Sequence, residues 1–215
     1  MSEFADHLPL SQRRAFDESR VSGDWRPVTA QCLTSLVEVL RAQPTAMFDS
    51  PSLRPGWSVR EVTAELIWRA DSSSVELAVE QVRSVFRDAL VPDPDVARLA
   101  ASSSDQLIGQ LRDLASRRAD RVGRRGVGDL ANVVSRSYEV SRAVHHDLNL
   151  PAIATGAVCL ARMLSAPLPI RAALAGRSLV ATDAGWTVGR GRPILAPAEH
   201  HVLFLYGRRA SLPGH

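Results

Sequence analysis

Two histidines and an aspartate stand side by side in the stretch VHHDLNLP, at the end of a predicted helix. Imidazole and carboxylate groups bind zinc and transfer protons near neutral pH, so His145, His146 and Asp147 are candidates for a metal or acid–base site. The alternative is structural, because an imidazolium at a helix C-terminus complements the helix dipole. A second pair, His200 and His201, lies in the last predicted helix, where one or the other can simply face solvent.

Helical spacing decides which neighbours the first pair of histidines shares. Glu139, Arg142 and His146 fall on one face of the predicted helix, and Ser141 and His145 fall on another. A carboxylate four residues before a histidine would complete a two-residue metal site, and neither histidine has one. The positive charge of Arg142 also disfavours a cation beside Glu139 and His146, because like charges repel at short range.

A lone carboxylate, Glu65, interrupts the apolar run VREVTAELIWRA. The apolar residues of this run recur at helical spacing, which predicts a helix with a buried face. A carboxylate on that face needs a partner or a raised pKa. Glu65 is therefore a second candidate for a functional site, or for one half of a buried ion pair.

The elements that must position these groups are mostly helices. Ser58 with Glu61 three residues later is the signature of a capping box, which predicts a helix start there. Predicted helices run over 28–42, from 59 as far as 90 with a bend near DSSS, over 104–122, 130–146 and 152–164. Two short strands in SLVATDAGWTVGRG follow, and a last helix in APAEHHVLFLYGRR ends near Gly207.

Helices of this length favour an antiparallel bundle over an α/β fold. We expect three parts: a loose N-terminal lead-in over 1–24, a helical bundle with the metal-binding site over 25–165, and a small α+β region over 166–215. The fold class predicted is mainly α.

Composition restricts the function. The 215 residues carry a net charge of +3, and all 26 basic residues are arginine, which excludes Schiff-base or lysine-base chemistry. The absence of lysine indicates a GC-rich genome such as that of an actinobacterium. Interspersed charges and 5% aromatic residues argue against nucleic-acid binding.

Cys32 and Cys159 are expected to be buried thiols. Without a signal peptide or a membrane span, we expect a cytoplasmic protein.

Three stretches resemble the mycothiol-dependent maleylpyruvate isomerase family: PGWSVREVTAEL, VHHDLNLP and the tail LAGRSLVATDAGWTVGRGRPILAPAEHHVLFLYGRRA. The resemblance covers roughly 28–210, and the tail is its most specific part. It implies a DinB-like antiparallel four-helix bundle followed by a small α+β C-terminal extension.

The resemblance also implies two cofactors, a divalent metal, typically zinc, and the thiol mycothiol. In the family, a histidine in the second helix and a glutamate and a histidine one turn apart in the fourth helix hold the metal. A metal-bound thiol becomes a thiolate. Its addition to an activated double bond, rotation and elimination would isomerise the substrate, and other members resemble thiol transferases.

This sequence departs from the family pattern at each ligand. Glu65 stands where the histidine of the second helix is expected, and no glutamate lies four residues before either His145 or His146. Glu139 could replace it only after a local rearrangement of the backbone. The metal ligands expected from the resemblance are therefore Glu65, Glu139 and His146, or His145 in place of His146. His145 and Asp147 are the expected catalytic groups.

Two hypotheses remain open. The first is a metal- and mycothiol-dependent isomerase or S-transferase that acts on a small electrophile. The alternative is a metal-free, non-catalytic relative that binds a small molecule or a partner protein in the former cleft. In the alternative, Glu65 would pair with an arginine such as Arg142. Either protein could be a monomer or a homodimer.

Overall fold

The structure is a computed structural model that describes residues 23–73, 75–77, 79 and 92–209. Its helices are α1 (Arg26–Arg41), a 3-10 helix (Thr45–Asp49), α2 (Val59–Asp71), α3 (Pro94–Ala100), α4 (Ser104–Ala119), α5 (Val127–Ala143), α6 (Ala152–Ser165), α7 (Leu168–Ala173) and α8 (Ala198–Leu205). Its strands are β1 (Arg177–Ala181), β2 (Thr187–Gly189) and β3 (Arg192–Ala196). The predicted fold class, mainly α with a small α+β C-terminal extension, is confirmed.

Four helices, α1, α2, α4 and α5, pack around an aliphatic core. α1 lies against α4 and α5, while α2 lies against α5, α4 and the short α3. Leucines from all four helices are fully buried between them: Leu33, Leu36, Leu66, Leu107, Leu111, Leu114 and Leu130. α6 packs on the outer side of α5 and connects the bundle to the C-terminal sheet.

The start of α2 matches the prediction, and its end does not. Ser58 accepts a hydrogen bond from the backbone N–H of Glu61, and the Glu61 side chain accepts from the backbone of Ser58, which completes the capping box. The helix ends at Asp71 because Ser72 turns to extended backbone. The bend predicted near DSSS is therefore a break in the helix, and residues 75–77 and 79 beyond it are again helical. The part of the predicted helix over 80–90 lies outside the described residues, as do residues 1–22 of the lead-in predicted over 1–24.

The end of α5 also corrects the prediction. The helix stops at Ala143, not at residue 146, and His145 has a positive φ of 53°. The His145 N–H donates to the Arg142 carbonyl and the His146 N–H to the Ser141 carbonyl, as in a Schellman motif. His146 therefore does not share a helix face with Glu139, because the chain has left the helix before it.

The C-terminal sheet has the strand order β2-β1-β3. The predicted hairpin is confirmed as the antiparallel pair of β1 and β2, with Leu179 opposite Val188. The third strand, β3, pairs parallel to β1 and was not predicted, because Arg192 and Pro193 open it without an alternating pattern. The last helix, α8, was predicted and packs on α6, α5 and β1.

The short helices α3 and α7 and the 3-10 helix also escaped the sequence analysis, since they are too brief to show a period. In the described ranges, no helix combines the length and the apolar character needed to cross a bilayer. The boundaries proposed at 24/25 and 165/166 stay predictions.

Candidate functional site

A loop before α2 carries Arg54 into the interior of the bundle. The loop closes on itself because the Ser52 N–H donates to the Trp57 carbonyl at 2.7 Å, and the Ser52 hydroxyl accepts from the Arg54 N–H at 3.1 Å. The Arg54 guanidinium lies 4.4 Å above the centre of the Trp57 ring, a cation–π contact. This closed loop holds a long, otherwise adaptable side chain in one position.

Glu139 on α5 is the most buried acceptor of Arg54. Its side chain is 1% exposed. Arg54 Nε donates to Glu139 Oε1 at 2.9 Å and Arg54 Nη2 to Oε2 at 3.3 Å, the two-pronged geometry that guanidinium and carboxylate groups share. Arg208 Nε also donates to Glu139 Oε2, at 3.1 Å. Two arginines from distant parts of the chain thus meet at one carboxylate.

Glu65 on α2 contacts the same Arg54. The distance between Glu65 Oε2 and Arg54 Nη2 is 2.5 Å, and Arg136 Nε donates to the same oxygen at 2.9 Å. Arg69 lies one turn further along α2, 3.7 Å from Glu65 Oε1. Burial by itself raises the pKa of Glu65, but Arg136 and Arg54 outweigh it, and the net pKa lies well below its ordinary value. Glu65 is therefore a carboxylate held ionised by arginines.

Arg208 reaches this cluster from the end of α8. Gly207 has a φ of 67°, and the Arg208 N–H donates to the Leu203 carbonyl at 2.8 Å, so that the helix ends in a Schellman motif. This turn directs Arg208 back toward α5. The predicted glycine stop of the last helix thus places a functional side chain.

A second arginine–carboxylate group lies along the same side of α5. Asp129 is buried, and its two oxygens accept from Arg118 Nε at 2.8 Å and from Arg124 Nη2 at 3.0 Å. Arg118 also donates to the Ala70 carbonyl at the end of α2. Both groups therefore join α5 to α2 through guanidinium groups.

A cavity of about 540 Å³ opens between these two groups. Polar residues of α5 at helical spacing form one wall, namely Asp129, Asn132, Ser135, Arg136 and Glu139. Arginines from other elements surround it: Arg69, Arg124, Arg162 and Arg208. Leu77, Ala131 and Tyr206 add apolar surface.

The cavity is strongly positive. Arg69 is left out of the charge count because it has further contacts besides Glu65. Among the other described residues, the wall and the ion pairs directly behind it hold six arginines and three carboxylates, which leaves three positive charges in excess: Arg54, Arg118, Arg124, Arg136, Arg162 and Arg208 against Glu65, Asp129 and Glu139. Low-dielectric walls concentrate such a field inside a cleft. The site is therefore suited to an anion.

The same arrangement does not fit a zinc ion. Three of the four carboxylate oxygens of Glu65 and Glu139 already accept hydrogen bonds or close ion-pair contacts from guanidinium groups. A cation placed between them would meet Arg54 at close range. Over the ranges that the structure describes, no cluster of three His, Cys, Asp or Glu side chains could hold a metal ion.

The structure brings together only part of the predicted site. Glu65 and Glu139 share Arg54, whereas His145, His146 and Asp147 are exposed after the end of α5 and are not among the described residues that line the cavity. The roles assigned to these three residues stay predictions. Arg142, suggested as the partner of Glu65, instead lies 3.3 Å from Glu199.

The sequence analysis missed the arginines that make the site. Arg136 lies one turn before Glu139, and this spacing could have drawn attention to it. Arg54 and Arg208 carried no such signal, because a loop and a helix terminus bring them in from distant positions. The two cysteines are not candidates for chemistry, since burial raises the pKa of Cys32 to about 12 and also raises that of Cys159.

Fold and site together define a helical bundle with a buried arginine–carboxylate cluster beside a cationic cleft. The chain belongs to the family described as "Mycothiol maleylpyruvate isomerase N-terminal domain", whose model matches residues 29–145. It is thus a maleylpyruvate isomerase-like protein, as its sequence motifs indicated.

Two solved structures are similar to this chain. The crystal structure of the mycothiol-dependent maleylpyruvate isomerase is 17% identical, covers 98% of this chain and 94% of its own, and has a TM-score of 0.48. The structure of a mutant of that enzyme is 16% identical, covers 98% and 93%, and has a TM-score of 0.47. A search of curated proteins finds no significant match.

Proposed function

We propose that this chain is a metal-free member of the family whose cationic cleft binds a small organic anion. The observation that carries the proposal is the excess of three positive charges that the described residues other than Arg69 place around the cavity. A buried charge needs a counter-charge or solvent to stabilise it, and a bound anion supplies one.

Arginine is the side chain best suited to this task. Its planar guanidinium binds carboxylate oxygens in pairs and keeps its charge when buried. A cavity of about 540 Å³ accommodates a small molecule. The family description names maleylpyruvate, which carries two carboxylates, so a small carboxylate or dicarboxylate is the ligand class that we propose.

Titration calorimetry with succinate and maleate tests this proposal. We expect binding that weakens roughly 10-fold or more in Arg162→Gln, because a charge-assisted hydrogen bond contributes about 1.5–3 kcal/mol. Arg162 lines the cavity without belonging to the two carboxylate groups, so its loss leaves the ion pairs in place. Arg98→Gln is the matched control, since Arg98 is exposed and pairs only with the exposed Asp95 among the contacts described for it. Equal affinities in the two variants, or no binding by the wild-type protein, would contradict the proposal.

Elemental mass spectrometry tests the proposal that the protein binds no metal ion. We expect well below one zinc per chain in protein purified without an affinity tag, even after zinc is supplied, because Arg54 lies between the two carboxylates. Near-stoichiometric zinc that is lost in Glu65→Ala would overturn it and restore the metal-dependent hypothesis.

A second candidate function keeps the thiol chemistry of the family without its metal. Guanidinium groups lower the pKa of a nearby thiol, so the cleft would favour the thiolate of a small thiol such as mycothiol. The nucleophile would come from that thiol, because Cys32 and Cys159 are buried. Isomerisation of maleylpyruvate by chelator-treated protein, dependent on added mycothiol, is the result expected of this candidate. The absence of turnover would leave only the binding function.

A further inference from the structure

The outward side of α6 carries an exposed apolar stripe. Ile153, Leu160 and Leu164 are 58%, 52% and 78% exposed. With the half-buried Ala157 they recur at i, i+4, i+7 and i+11, so the four side chains lie in one line along the helix. The inward side of α6 packs on α5, α8 and β2. Single exposed apolar side chains are ordinary on a protein surface, whereas a line of them on one helix indicates an interaction surface.

The stripe carries no charge that a polar partner could recognise. The sequence of α6, AIATGAVCLARMLS, contains one charged residue, Arg162. Its side chain turns toward α8, because Nε donates to the Leu205 carbonyl at 3.1 Å and the guanidinium lies 5.0 Å from the centre of the Tyr206 ring. The stripe therefore offers a partner apolar surface only.

The order of side chains along the stripe suits a second copy of the same helix. The spacing is that of the apolar seam between two paired helices. In an antiparallel pair, with a two-fold axis between Ala157 and Leu160, Ala157 faces the partner subunit's Leu160. Ile153 then faces the partner subunit's Leu164. Large side chains meet small ones at the centre and large ones meet at both ends, so the stripe is complementary to itself, as a two-fold interface requires.

The exposed apolar area is in the range that a reversible dimer buries. The side chains of Ile153, Leu160 and Leu164, with that of Leu168 in α7, together expose on the order of 500 Å², against roughly 800 Å² for one partner of a standard interface. Exposed small residues at both ends of α6 add to this area. The surface therefore fits an association of modest affinity.

We propose that two copies of this protein form a two-fold dimer through antiparallel pairing of their α6 helices. The dimer does not depend on an anion in the cleft, because none of the four stripe residues lines the cavity. A membrane surface fits the stripe less well. A helix that lies on a membrane exposes a polar face rich in basic residues, whereas the side of α6 opposite the stripe is packed against protein.

Sedimentation equilibrium tests the dimer in solution. We expect the mass of the wild-type protein to rise from one chain toward two between about 1 and 100 µM. Leu160→Glu should weaken association roughly 10-fold or more, because two carboxylates would meet near the two-fold axis. Val122→Glu is the matched control, since Val122 is 54% exposed and lies outside α6, and it should dimerise like the wild type. Circular dichroism verifies that each variant folds.

A double variant tests the antiparallel arrangement. Ile153→Glu alone and Leu164→Arg alone should each weaken the dimer. In Ile153→Glu/Leu164→Arg, the two introduced charges lie about 16 Å apart within one helix but face each other across the axis, so the dimer should recover. In a parallel pair, like charges would meet instead and the double variant would associate less than either single variant.

Three outcomes would overturn the proposal. The first is a wild-type chain that stays monomeric at every concentration, and the second is a dimer that Leu160→Glu leaves intact. The third is a double variant that associates less than both single variants. If the monomeric wild type instead sediments with phosphatidylglycerol vesicles and Leu160→Glu does not, the stripe contacts lipid and the dimer is also overturned. None of these results bears on anion binding, so the two proposals fail separately.

Discussion

Arg54 and Glu139 lie 85 positions apart in the chain and form a two-pronged ion pair of 2.9 and 3.3 Å in the interior of the bundle. The same arginine contacts Glu65 on α2. One guanidinium therefore holds the loop before α2, α2 itself and α5 together.

Glu139→Gln should reveal how strongly this cluster contributes to stability. The change leaves the largely buried Arg54 and the partly exposed Arg208 without their shared counter-charge, and breaking a buried pair costs about 3–5 kcal/mol of the free energy of unfolding. Urea unfolding monitored by circular dichroism measures it. Asp71→Asn is the control, because the Asp71–Arg117 pair is exposed and should contribute about 1 kcal/mol or less. Similar losses in both variants would contradict a special role for Glu139.

Arg54→Lys should be destabilising even though the charge is kept. A lysine ammonium cannot contact both oxygens of Glu139 and an oxygen of Glu65 in one plane, and it also loses stacking on Trp57. We expect a loss of about 1–3 kcal/mol in the free energy of unfolding. Arg98→Lys at an exposed pair is the matched control and should be close to neutral. Wild-type stability for Arg54→Lys would show that only the charge matters.

The stability of the protein should fall in acid through Glu65. Its folded pKa lies below the ordinary value of 4.5, because Arg136 and Arg54 outweigh the effect of burial. A depressed folded pKa stabilises the protein fully above the unfolded pKa, and this contribution is lost as the pH falls through the folded pKa. The difference in stability between wild-type protein and Glu65→Gln should therefore shrink below about pH 4.5, by up to roughly 1.4 kcal/mol per pH unit. Urea unfolding at a series of pH values measures it, and parallel curves would show that Glu65 is not the titrating group.

His145→Gly should stabilise the protein. His145 has a φ of 53°, in the left-handed region that glycine adopts without a steric cost. The substitution relieves that strain, but glycine also has greater freedom in the unfolded chain, which offsets part of the gain. The free energy of unfolding should therefore rise by about 0.5–1 kcal/mol. His146→Gly is the control, because that residue lacks a positive φ and should gain nothing. If His145→Gly instead loses mycothiol-dependent turnover, the predicted catalytic role of His145 would be supported.

Features that depend on near neighbours were predictable. The capping box of Ser58 and Glu61, the glycine stop after α8 and the β1–β2 hairpin all follow from residues within a few positions of one another. The family motifs led to the correct family and fold class for the same reason, since they are short and contiguous. Glu65 was also recognisable as a buried charge that needs a partner.

The partners of that charge could not be predicted from sequence. Arg136 and Arg142 stand three residues before and three residues after Glu139, so helical spacing does not tell them apart, and only the packing of α2 against α5 places Arg136 beside Glu65. A single residue in the left-handed conformation, His145, ends α5 and removes His146 from the face of Glu139.

The sequence alone determined the helical bundle, its family and the presence of a buried carboxylate in α2, because helix periods and caps are local. Only the tertiary structure decided that this carboxylate meets Arg54, Arg136 and, through Glu139, Arg208. Long arginine side chains reach ions from loops and helix ends whose positions depend on the packing of the whole bundle. The excess of positive charge that the described residues place around the cleft is a property of that packing.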